Sequence, residues 1–367
     1  MEHAREVKEV VTCFNIAGQL LDVSPYGSGH INDTYLSHFQ EGYRIVRYIH
    51  QWINHQVFKE PEKVMENIER VTNYLRQQVI AAAGDPVREV LTLVPAQDGK
   101  SYYKSAQGNY WRSYIFIEGA RTYDVVEDKQ HLYSASKAYG NFQKLLSSLP
   151  GGRLHETIPN FHYTPHRYES FIRATEKDVM NRAQTVKSEI DLITGRVNDV
   201  SIVVDLIAKG LIPERVTHND TKLNNVLIDE ACGEGICVID LDTVMPGSVL
   251  YDFGDSVRVG TTTAAEDEPD IGKVSLNLEL FEYLVRGYLE AVSDFLAPAE
   301  IDYLAFSGRL ITLEQAMRFL GDYLNGDVYY KTHRPQQNLD RARTQIKLVR
   351  EMEKHFDAMD AIVNRYR

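Results

Sequence analysis

The chain has 367 residues, and at roughly 100 to 200 residues per domain this length predicts two or three domains. Its content of 43% hydrophobic and 25% charged residues is typical of a folded globular protein and excludes a disordered one. A net charge of −12 repels phosphate backbones and anionic lipid headgroups. We therefore expect neither nucleic acid nor a membrane surface as a partner.

The three cysteines, Cys13, Cys232 and Cys237, allow at most one disulfide, which is typical of a reducing compartment. Cys232 and Cys237 have no second Cys or His pair nearby that would complete a zinc site. No apolar stretch is long enough for a membrane span, and the first residues do not resemble a signal peptide. We expect a cytoplasmic protein.

The first third of the chain is predicted to be rich in β-structure. Short segments of Tyr, Val, Ile and Thr alternate there with turn signals such as Glu41-Gly42 and Asp98-Gly99. One helix is predicted from Pro61, because apolar residues follow on a single face as far as Leu75. The predicted strands are 21–25, 31–36, 43–50, 90–94, 101–104 and 110–117.

After Glu118-Gly119 helical patterns dominate, beginning with an amphipathic helix that starts near Asp128. Short β-like segments return only between residues 216 and 244. The pattern predicts an α+β protein with a boundary near residues 115–120 and no flexible linker. Later helices are predicted at 168–193, 200–209, 274–295, 298–324 and 339–367.

A polar loop between two apolar segments, Val216 to Ile228, is the most informative part of the chain. Asp220 precedes Asn225 by five residues, which is the spacing of a kinase catalytic loop. In such a loop the Asp accepts the proton of the acceptor hydroxyl and the Asn binds a metal ion. As an isolated pattern, the same spacing also fits a capped turn.

A second group of oxygen ligands follows a short apolar strand. Asp240 directly follows the apolar residues 236–239, and Asp242 lies two positions further along the chain. Mg²⁺ prefers such oxygen ligands and needs only one or two carboxylates besides ATP phosphates. Asp240 alone could equally end a strand in a turn. The order of base, Asn and Asp along the chain is nevertheless that of a kinase.

Several long blocks resemble one family. His218, Asp220 and Asn225 form an H-x-D-x-x-x-x-N motif like that of the aminoglycoside phosphotransferase and choline kinase superfamily. The resemblance is closer to bacterial N-acetylhexosamine 1-kinases, and the blocks extend from about residue 25 to residue 353. These blocks are VTHNDTKLNN, IDLDTVMPGSVLYDFGDSVR, PYGSGHIN, MRFLGDYLNGD and RTQIKLVREME. The resemblance implies a bilobal protein-kinase-like fold, with a nucleotide-binding lobe at 1–117 and a helical lobe at 118–367.

The resemblance also implies roles for individual residues. Asp220 is expected to be the catalytic base, and Asn225 and Asp240 are expected to hold Mg²⁺. His218, Asp242 and Asp252 are expected to support the loop, with Asp240 or Asp242 adding a sugar contact. The residues expected to contact the sugar are His30, Arg318 and Tyr329. For Arg318 a surface ion pair is the alternative.

The nucleotide is expected to lie under the turn Gly27-Ser28-Gly29, whose backbone N–H groups approach phosphate where Cβ atoms are missing. A plain β-turn would have the same sequence. The extended backbone around Phe116 and Ile117 is expected to pair with the adenine edge, as a hinge would. A plain edge strand would look the same.

The chain departs from protein kinases at one position. The strand 43–50 has no lysine that could hold the α- and β-phosphates, although Arg47 or Gln51 is expected near that place. The hexosamine kinases also lack a clear lysine there, so the departure affects only the more distant resemblance.

The sequence therefore predicts an enzyme that uses ATP and Mg²⁺ to phosphorylate the anomeric hydroxyl of GlcNAc or GalNAc. One alternative is a kinase of an aminoglycoside, choline or homoserine. Another is an inactive pseudokinase that only binds ligands. The oligomeric state and the preferred sugar are not indicated.

Overall fold

A computed structural model describes residue 3, residues 5–27, residue 29 and residues 31–367. The chain divides into two compact units. The first comprises Met1–Ala120, Ser148–Pro159 and Ile236–Met245, and the second comprises Arg121–Ser147, Asn160–Gly235 and Pro246–Arg367. The main division thus falls at residue 120, and two short later segments join the first unit. The roles predicted for the two lobes stay predictions.

The first unit contains a six-stranded antiparallel sheet in the order β1-β2-β3-β6-β4, with β5 paired to β6. Each predicted strand overlaps an observed one, although β2 and β3 extend further along the chain than expected and β4, β5 and β6 are shorter. The strands are β1 (Gln19–Pro25), β2 (Asp33–Glu41), β3 (Arg44–Ile53), β4 (Leu93–Val94), β5 (Tyr103–Lys104) and β6 (Tyr110–Ile115).

One long helix accompanies this sheet. It is α2 (Pro61–Ala81), which follows the short α1 (Val7–Val10) and begins with proline at its first position, as predicted. Its apolar face, from Val64 to Leu75, is buried. A core of Phe14, Tyr35, Phe39, Tyr48, Trp111 and neighbouring aliphatic residues stabilises the sheet by burying apolar surface.

The second unit is mainly helical. Its helices are α3 (Lys129–Leu146), α4 (Thr164–Lys177), α5 (Lys187–Thr194), α6 (Ile202–Ala208), α7 (Val249–Gly260), α8 (Leu278–Val292), α9 (Pro298–Asp302), α10 (Leu304–Leu324), α11 (Gln337–Lys354) and α12 (Phe356–Tyr366). The remaining strands and the short 3-10 turns of the described chain are not confined to the second unit. The strands are β7 (Ala120–Arg121), β8 (Arg215–Thr217), β9 (Val226–Asp229), β10 (Gly235–Val238) and β11 (Met245–Gly247). The 3-10 turns are Val11–Cys13, Ala183–Val186, Val197–Asp199, Leu223–Asn225, Leu241–Thr243 and Ile271–Lys273.

Two helix contacts organise the second unit. Helices α3 and α8 pack closely at Gly287, where a Cβ atom would lie 2.2 Å from the carbonyl oxygen of Tyr133. Helix α10 is buried along almost its whole length and packs on α4, α7 and α11. Its buried polar residues, which include Glu314 and Asp322, accept hydrogen bonds from neighbouring segments.

Three predicted helices are wrong in extent. The helix expected at 168–193 ends at Lys177, because Asp178 takes a left-handed conformation with φ of +35°. The helix expected at 298–324 is broken at Tyr303, and the one expected at 339–367 is broken at His355. Helix α7 was not predicted, because Asp252, Gly254 and Asp255 interrupt its apolar pattern.

The three cysteines are free and differ in exposure. Cys232 is exposed, Cys13 is half-buried and Cys237 is buried. Burial raises the pKa of the Cys237 thiol to about 12. None of the helices in the described part of the chain is long and apolar enough to cross a membrane.

Candidate functional site

The polar loop around Asp220 connects β8 to β9 in the second unit. It passes through the 3-10 turn Leu223–Asn225, which places Asn225 beside Asp220. Asn225 Nδ2 donates to the backbone oxygen of Asp220 at 2.9 Å and to its Oδ2 at 3.2 Å. The two residues that the sequence paired by their spacing are therefore in contact.

Asp252 of α7 fixes the backbone of this loop. Its carboxylate accepts the N–H of His218 at 2.8 Å and the N–H of Asn219 at 2.6 Å. Gln143 Nε2 donates to the same carboxylate at 2.6 Å. Burial raises the pKa of Asp252 despite these donors. An aspartate in α7 thus satisfies two loop donors that would otherwise be buried without partners.

Further contacts hold the other side of the loop. Thr221 Oγ1 donates to the backbone oxygen of Asp252 at 2.5 Å, and Tyr139 Oη donates to the oxygen of Lys222 at 2.7 Å. His218 is fully buried between the rings of Tyr139 and Phe142. The loop therefore enters any reaction with its backbone already ordered.

Lys222 is a residue that the sequence analysis did not single out. Its Nζ lies 2.7 Å from Asp220 Oδ1. Burial raises the pKa of Asp220, but the charge of Lys222, with smaller contributions from His218 and Arg258, lowers it by more. Asp220 is therefore ionised at neutral pH. The signal in the sequence was a lysine two positions after the candidate base.

We predict that Lys222→Met moves the acidic limb of the kcat/KM profile to higher pH. The ammonium group of Lys222 lowers the pKa of Asp220. Without that charge the pKa of Asp220 rises, and the candidate base becomes protonated at a higher pH. Lys222→Arg keeps the charge and serves as the control. A limb at the same pH in the wild type and Lys222→Met would show that Lys222 does not set this pKa.

Arg318 of α10 is half-buried in the same unit. Its guanidinium lies 5.2 Å from the ring centroid of Phe161 and 5.8 Å from that of Tyr330. Nη1 donates to Gln315 Oε1 at 3.0 Å. No carboxylate in the described part of the chain lies within ion-pair distance of Arg318. The alternative of a surface ion pair is therefore wrong.

Arg167 of α4 lies near Arg318. Its Nη2 donates to the backbone oxygen of Phe161 at 2.7 Å. Burial lowers the pKa of Arg167, and the like charge of Arg318 lowers it further. Arg167 also has no carboxylate at ion-pair distance among the described residues. Two guanidinium groups without carboxylate partners thus share this region, and the sequence had indicated only one.

The loop that follows α10 carries Tyr329. Asp322 accepts the N–H groups of Val328, Tyr329 and Tyr330 at 2.8 to 3.0 Å, which fixes the loop backbone. The side chain of Tyr329 is exposed and contacts the ring of Tyr330 at 4.8 Å between centroids. Tyr330, rather than Tyr329, packs against the Arg318 guanidinium.

In the first unit, Asp240 directly precedes the 3-10 turn Leu241–Thr243, and Asp242 lies within that turn. Asp240 is exposed and takes a left-handed conformation with φ of +58°, which an aspartate tolerates better than most residues. Asp242 is buried, where it forms a bidentate ion pair with Arg112 and accepts Asn32 Nδ2 at 2.5 Å. The oxygens of Asp242 are thus used within the chain, whereas the Asp240 side chain is exposed.

The two residues expected near the missing lysine position have other partners. Arg47 pairs with Glu118, and its guanidinium lies 3.9 Å from the ring centroid of Phe116. Gln51 Oε1 accepts Arg112 Nε at 2.9 Å from the neighbouring strand. Neither side chain is therefore in position as an unpaired phosphate anchor.

The expected hinge follows β6. The N–H of Phe116 is already bonded to the oxygen of Arg47 at 3.0 Å, so it is not available to an adenine. Within the described residues the backbone N–H and C=O of Ile117 have no partner. The backbone of Ile117, rather than that of Phe116, has the free donor and acceptor that an adenine edge needs.

The expected glycine turn is described only in part. Gly27 has φ of +77°, which favours glycine, and a Cβ atom there would meet nothing within 4 Å. Gly29 has similar space around it. Ser28 and His30 lie outside the described residues, so their predicted contacts stay predictions.

The side chain of Asn225 has the chemistry of a metal ligand. Its Nδ2 is directed at Asp220, and no donor in the described residues reaches its Oδ1. The described part of the chain contains no cluster of three or more His, Cys, Asp or Glu residues that could hold a metal ion. The predicted Mg²⁺ ligands, one amide and one carboxylate, would not form such a cluster.

A family model described as the phosphotransferase enzyme family (APH) matches residues 22–288. The chain belongs to this family. The match includes the loop around Asp220, the turn at Asp240 and helix α7, whereas the blocks MRFLGDYLNGD and RTQIKLVREME lie beyond its end.

Solved structures of members and relatives share the fold of this phosphotransferase chain. An aminoglycoside phosphotransferase from Alicyclobacillus acidocaldarius has 11% sequence identity and a TM-score of 0.60, with 98% of this chain and 96% of that chain covered. Spectinomycin phosphotransferase in complex with ADP and spectinomycin has 13% identity, a TM-score of 0.57 and coverage of 95% and 98%. Choline kinase from Cryptosporidium parvum has 13% identity, a TM-score of 0.55 and coverage of 94% and 92%. The predicted α+β, kinase-like fold is confirmed.

Proposed function

We propose that this member of the phosphotransferase family transfers the γ-phosphoryl group of ATP to the anomeric hydroxyl of an N-acetylhexosamine. The products are ADP and the sugar 1-phosphate. The observation that carries the proposal is the fixed loop that holds Asp220 beside Lys222, in a unit where the Arg318 guanidinium has no carboxylate partner among the described residues. A carboxylate accepts the hydroxyl proton, and a guanidinium donates hydrogen bonds to sugar oxygens.

The charges around Arg318 favour a neutral acceptor rich in oxygen atoms. Arg167 and Arg318 both lack carboxylate partners among the described residues, so a polycationic aminoglycoside or a choline would be repelled here. A sugar hydroxyl and an acetamido oxygen are acceptors that a guanidinium fork can bind. The faces of Phe161 and Tyr330 add apolar contact for a sugar ring. Tyr329 and His30 are proposed as further sugar contacts.

We propose ATP as the phosphoryl donor. The backbone of Ile117 offers a donor and an acceptor to the adenine, and Gly27 and Gly29 leave room for phosphates. One solved relative was captured with ADP and another, amicoumacin kinase, with AMP-PNP and Ca²⁺.

Asn225 and Asp240 are the ligands that we propose for Mg²⁺. When bound, the ion would neutralise charge on the β- and γ-phosphates. The chain itself supplies the fixed position of Asn225, through its two bonds to Asp220, and the exposed position of Asp240.

A panel of acceptors tests the substrate. GlcNAc and GalNAc, their methyl glycosides, glucosamine, an aminoglycoside, choline and homoserine are each incubated with ATP and Mg²⁺. We expect ADP release only with GlcNAc or GalNAc, and ³¹P NMR should locate the phosphate on the anomeric carbon. The methyl glycosides are the matched controls, because they lack only the reacting hydroxyl.

Each of the other outcomes would support a different function. Turnover of the methyl glycosides would place the phosphate on another hydroxyl and contradict the 1-kinase proposal. Turnover of choline, homoserine or the aminoglycoside alone would identify a different kinase of the same class. Nucleotide binding without turnover of any acceptor would favour a pseudokinase.

We predict that Arg318→Ala raises the KM for the sugar by roughly 10- to 150-fold and changes the KM for ATP little. Loss of a hydrogen bond from a charged donor costs about 1.5 to 3 kcal/mol. Steady-state kinetics with each substrate varied in turn provides the measurement, and KM reports binding if chemistry is slow relative to sugar release. Arg350→Ala, at an exposed arginine of α11, is the control. Equal effects on both KM values would count against a sugar contact.

A further inference from the structure

His162, which precedes α4 in the second unit, is buried between two acceptors. Its Nε2 lies 3.1 Å from the backbone oxygen of Asn219, and its Nδ1 lies 2.8 Å from Glu314 Oε1. Glu314 is a buried residue of α10, and Thr164 Oγ1 donates to its Oε2 at 2.6 Å. The proposed reaction does not use the side chains of His162, Thr164 or Glu314.

The partners determine where the protons lie. A backbone carbonyl only accepts, so Nε2 of His162 must carry a hydrogen. The contact of 2.8 Å between Nδ1 and Glu314 Oε1 holds the ring from its other side. A buried carboxylate on one side therefore keeps the Nε2–H of His162 aimed at Asn219.

Asn219 has a left-handed backbone with φ of +66°, which an asparagine tolerates better than most residues, and His162 contacts its carbonyl oxygen. Its carbonyl belongs to the same planar peptide group as the N–H of Asp220. That N–H donates to His218 Nδ1 at 3.3 Å. The peptide group that carries Asp220 is thus held on one side by His162 and on the other by His218.

We propose that His162, oriented by Glu314, is a positioning residue that sets the plane of the peptide group between Asn219 and Asp220. The direction of the Asp220 carboxylate follows from that plane. This inference rests on the proposed function because it takes Asp220 as the base.

The same segments carry the acceptor-side residues. Phe161, whose ring contacts the Arg318 guanidinium, is the neighbour of His162, and Glu314 lies one helical turn before Arg318 on α10. Helix α10 and the segment before α4 therefore hold both the base and the acceptor side. A rotation of the peptide group at Asn219 would misplace the base relative to a sugar bound at Arg318.

Two conservative variants separate positioning from simple stability. The amide nitrogen of His162→Gln can occupy the place of Nε2 and still donate to Asn219, whereas the shorter side chain of His162→Asn replaces Nδ1 only. We expect His162→Asn to lower kcat roughly 100-fold, the effect of a displacement of about 1 Å at a catalytic group, with little change in either KM. His162→Gln should recover at least about tenfold of that loss.

A control variant measures the effect of losing a partly buried ion pair at another place in the second unit. Arg196→Gln breaks the pair between Arg196 and Glu353, whose two bonds of 2.6 Å lie away from the loop. Its melting temperature should fall while its kcat stays at the wild-type value. Equal kcat values for the Asn and Gln variants of His162 would overturn the proposal.

Hydrogen exchange provides a readout that does not need a substrate. The amide hydrogens of His218, Asn219 and Asp220 should exchange faster in His162→Asn than in the wild type, and at nearly the wild-type rate in His162→Gln. Unchanged exchange in His162→Asn would overturn the positioning role. If the wild type phosphorylates no hexosamine, the proposed function fails, and the exchange comparison still decides the role of His162.

Discussion

Asp220→Asn is expected to lower kcat by roughly 10²- to 10⁴-fold, the range that general acid–base groups contribute. The amide has the shape of the carboxylate but does not accept the hydroxyl proton. The contacts of Asp252 and Tyr139 with the loop backbone involve no Asp220 side-chain atom, so the loop should keep its conformation. Single-turnover measurements with ATP and the sugar would isolate the chemical step.

Two further measurements accompany this variant. ADP binding, followed by calorimetry, should stay near the wild-type affinity, because a nucleotide does not need the base. Asp205→Asn, at an exposed aspartate of α6, controls for the change of charge. Full activity of Asp220→Asn would contradict the assignment of the base.

Arg112→Met is expected to lower the free energy of unfolding of the first unit by about 3 to 5 kcal/mol. The Arg112 and Asp242 side chains are 0% and 3% exposed, so the variant leaves a buried carboxylate without its counter-charge. Both tryptophans, Trp52 and Trp111, lie in strands of this unit. Their fluorescence during urea denaturation therefore reports on the unit that the substitution affects.

An exposed ion pair in the same unit is the comparison. Arg47 and Glu118 are 33% and 60% exposed, and Arg47→Met should cost no more than about 1 kcal/mol. The double variant Arg112→Met with Asp242→Leu should regain part of the loss, because it removes the uncompensated charge. A cost for Arg112→Met as small as that for Arg47→Met would show that Asp242 is neutralised in another way.

Local sequence patterns predicted the parts of the structure that depend on neighbouring residues. The apolar period of α2, with its proline at the first position, gave the helix correctly. The spacing of Asp220 and Asn225 gave a true contact, because one 3-10 turn separates them. Patterns of this kind concern positions only a few residues apart.

Contacts between distant positions were not predictable from local patterns. Arg112 and Asp242 are 130 positions apart, and His162 and Glu314 are 152 apart. The strand 110–117 gave no sign that its arginine would be buried, and His162 lies outside any recognised motif. Only the fold brings these side chains together. The first pair lies at the turn that follows Asp240, and His162 of the second pair contacts the loop that carries Asp220.

Boundaries were lost where the backbone takes an uncommon conformation. Asp178 ends α4 in a left-handed conformation, although no glycine or proline marks that position. Helix α7 was missed although its backbone is regular. Asp252 and Asp255 are residue types common in loops, yet Asp252 points inward and accepts hydrogen bonds from the loop before β9.

The different exposure of the cysteines makes the chain suitable for a site-specific fluorescent reporter. A thiol reacts with maleimides as its thiolate, so the buried Cys237, with a pKa of about 12, stays unlabelled at neutral pH. In a Cys13→Ser background the dye would attach at Cys232, in the turn that follows β9. Strand β9 begins directly after Asn225, so the dye would report optically, in real time, on movements of the strand that follows the loop around Asp220.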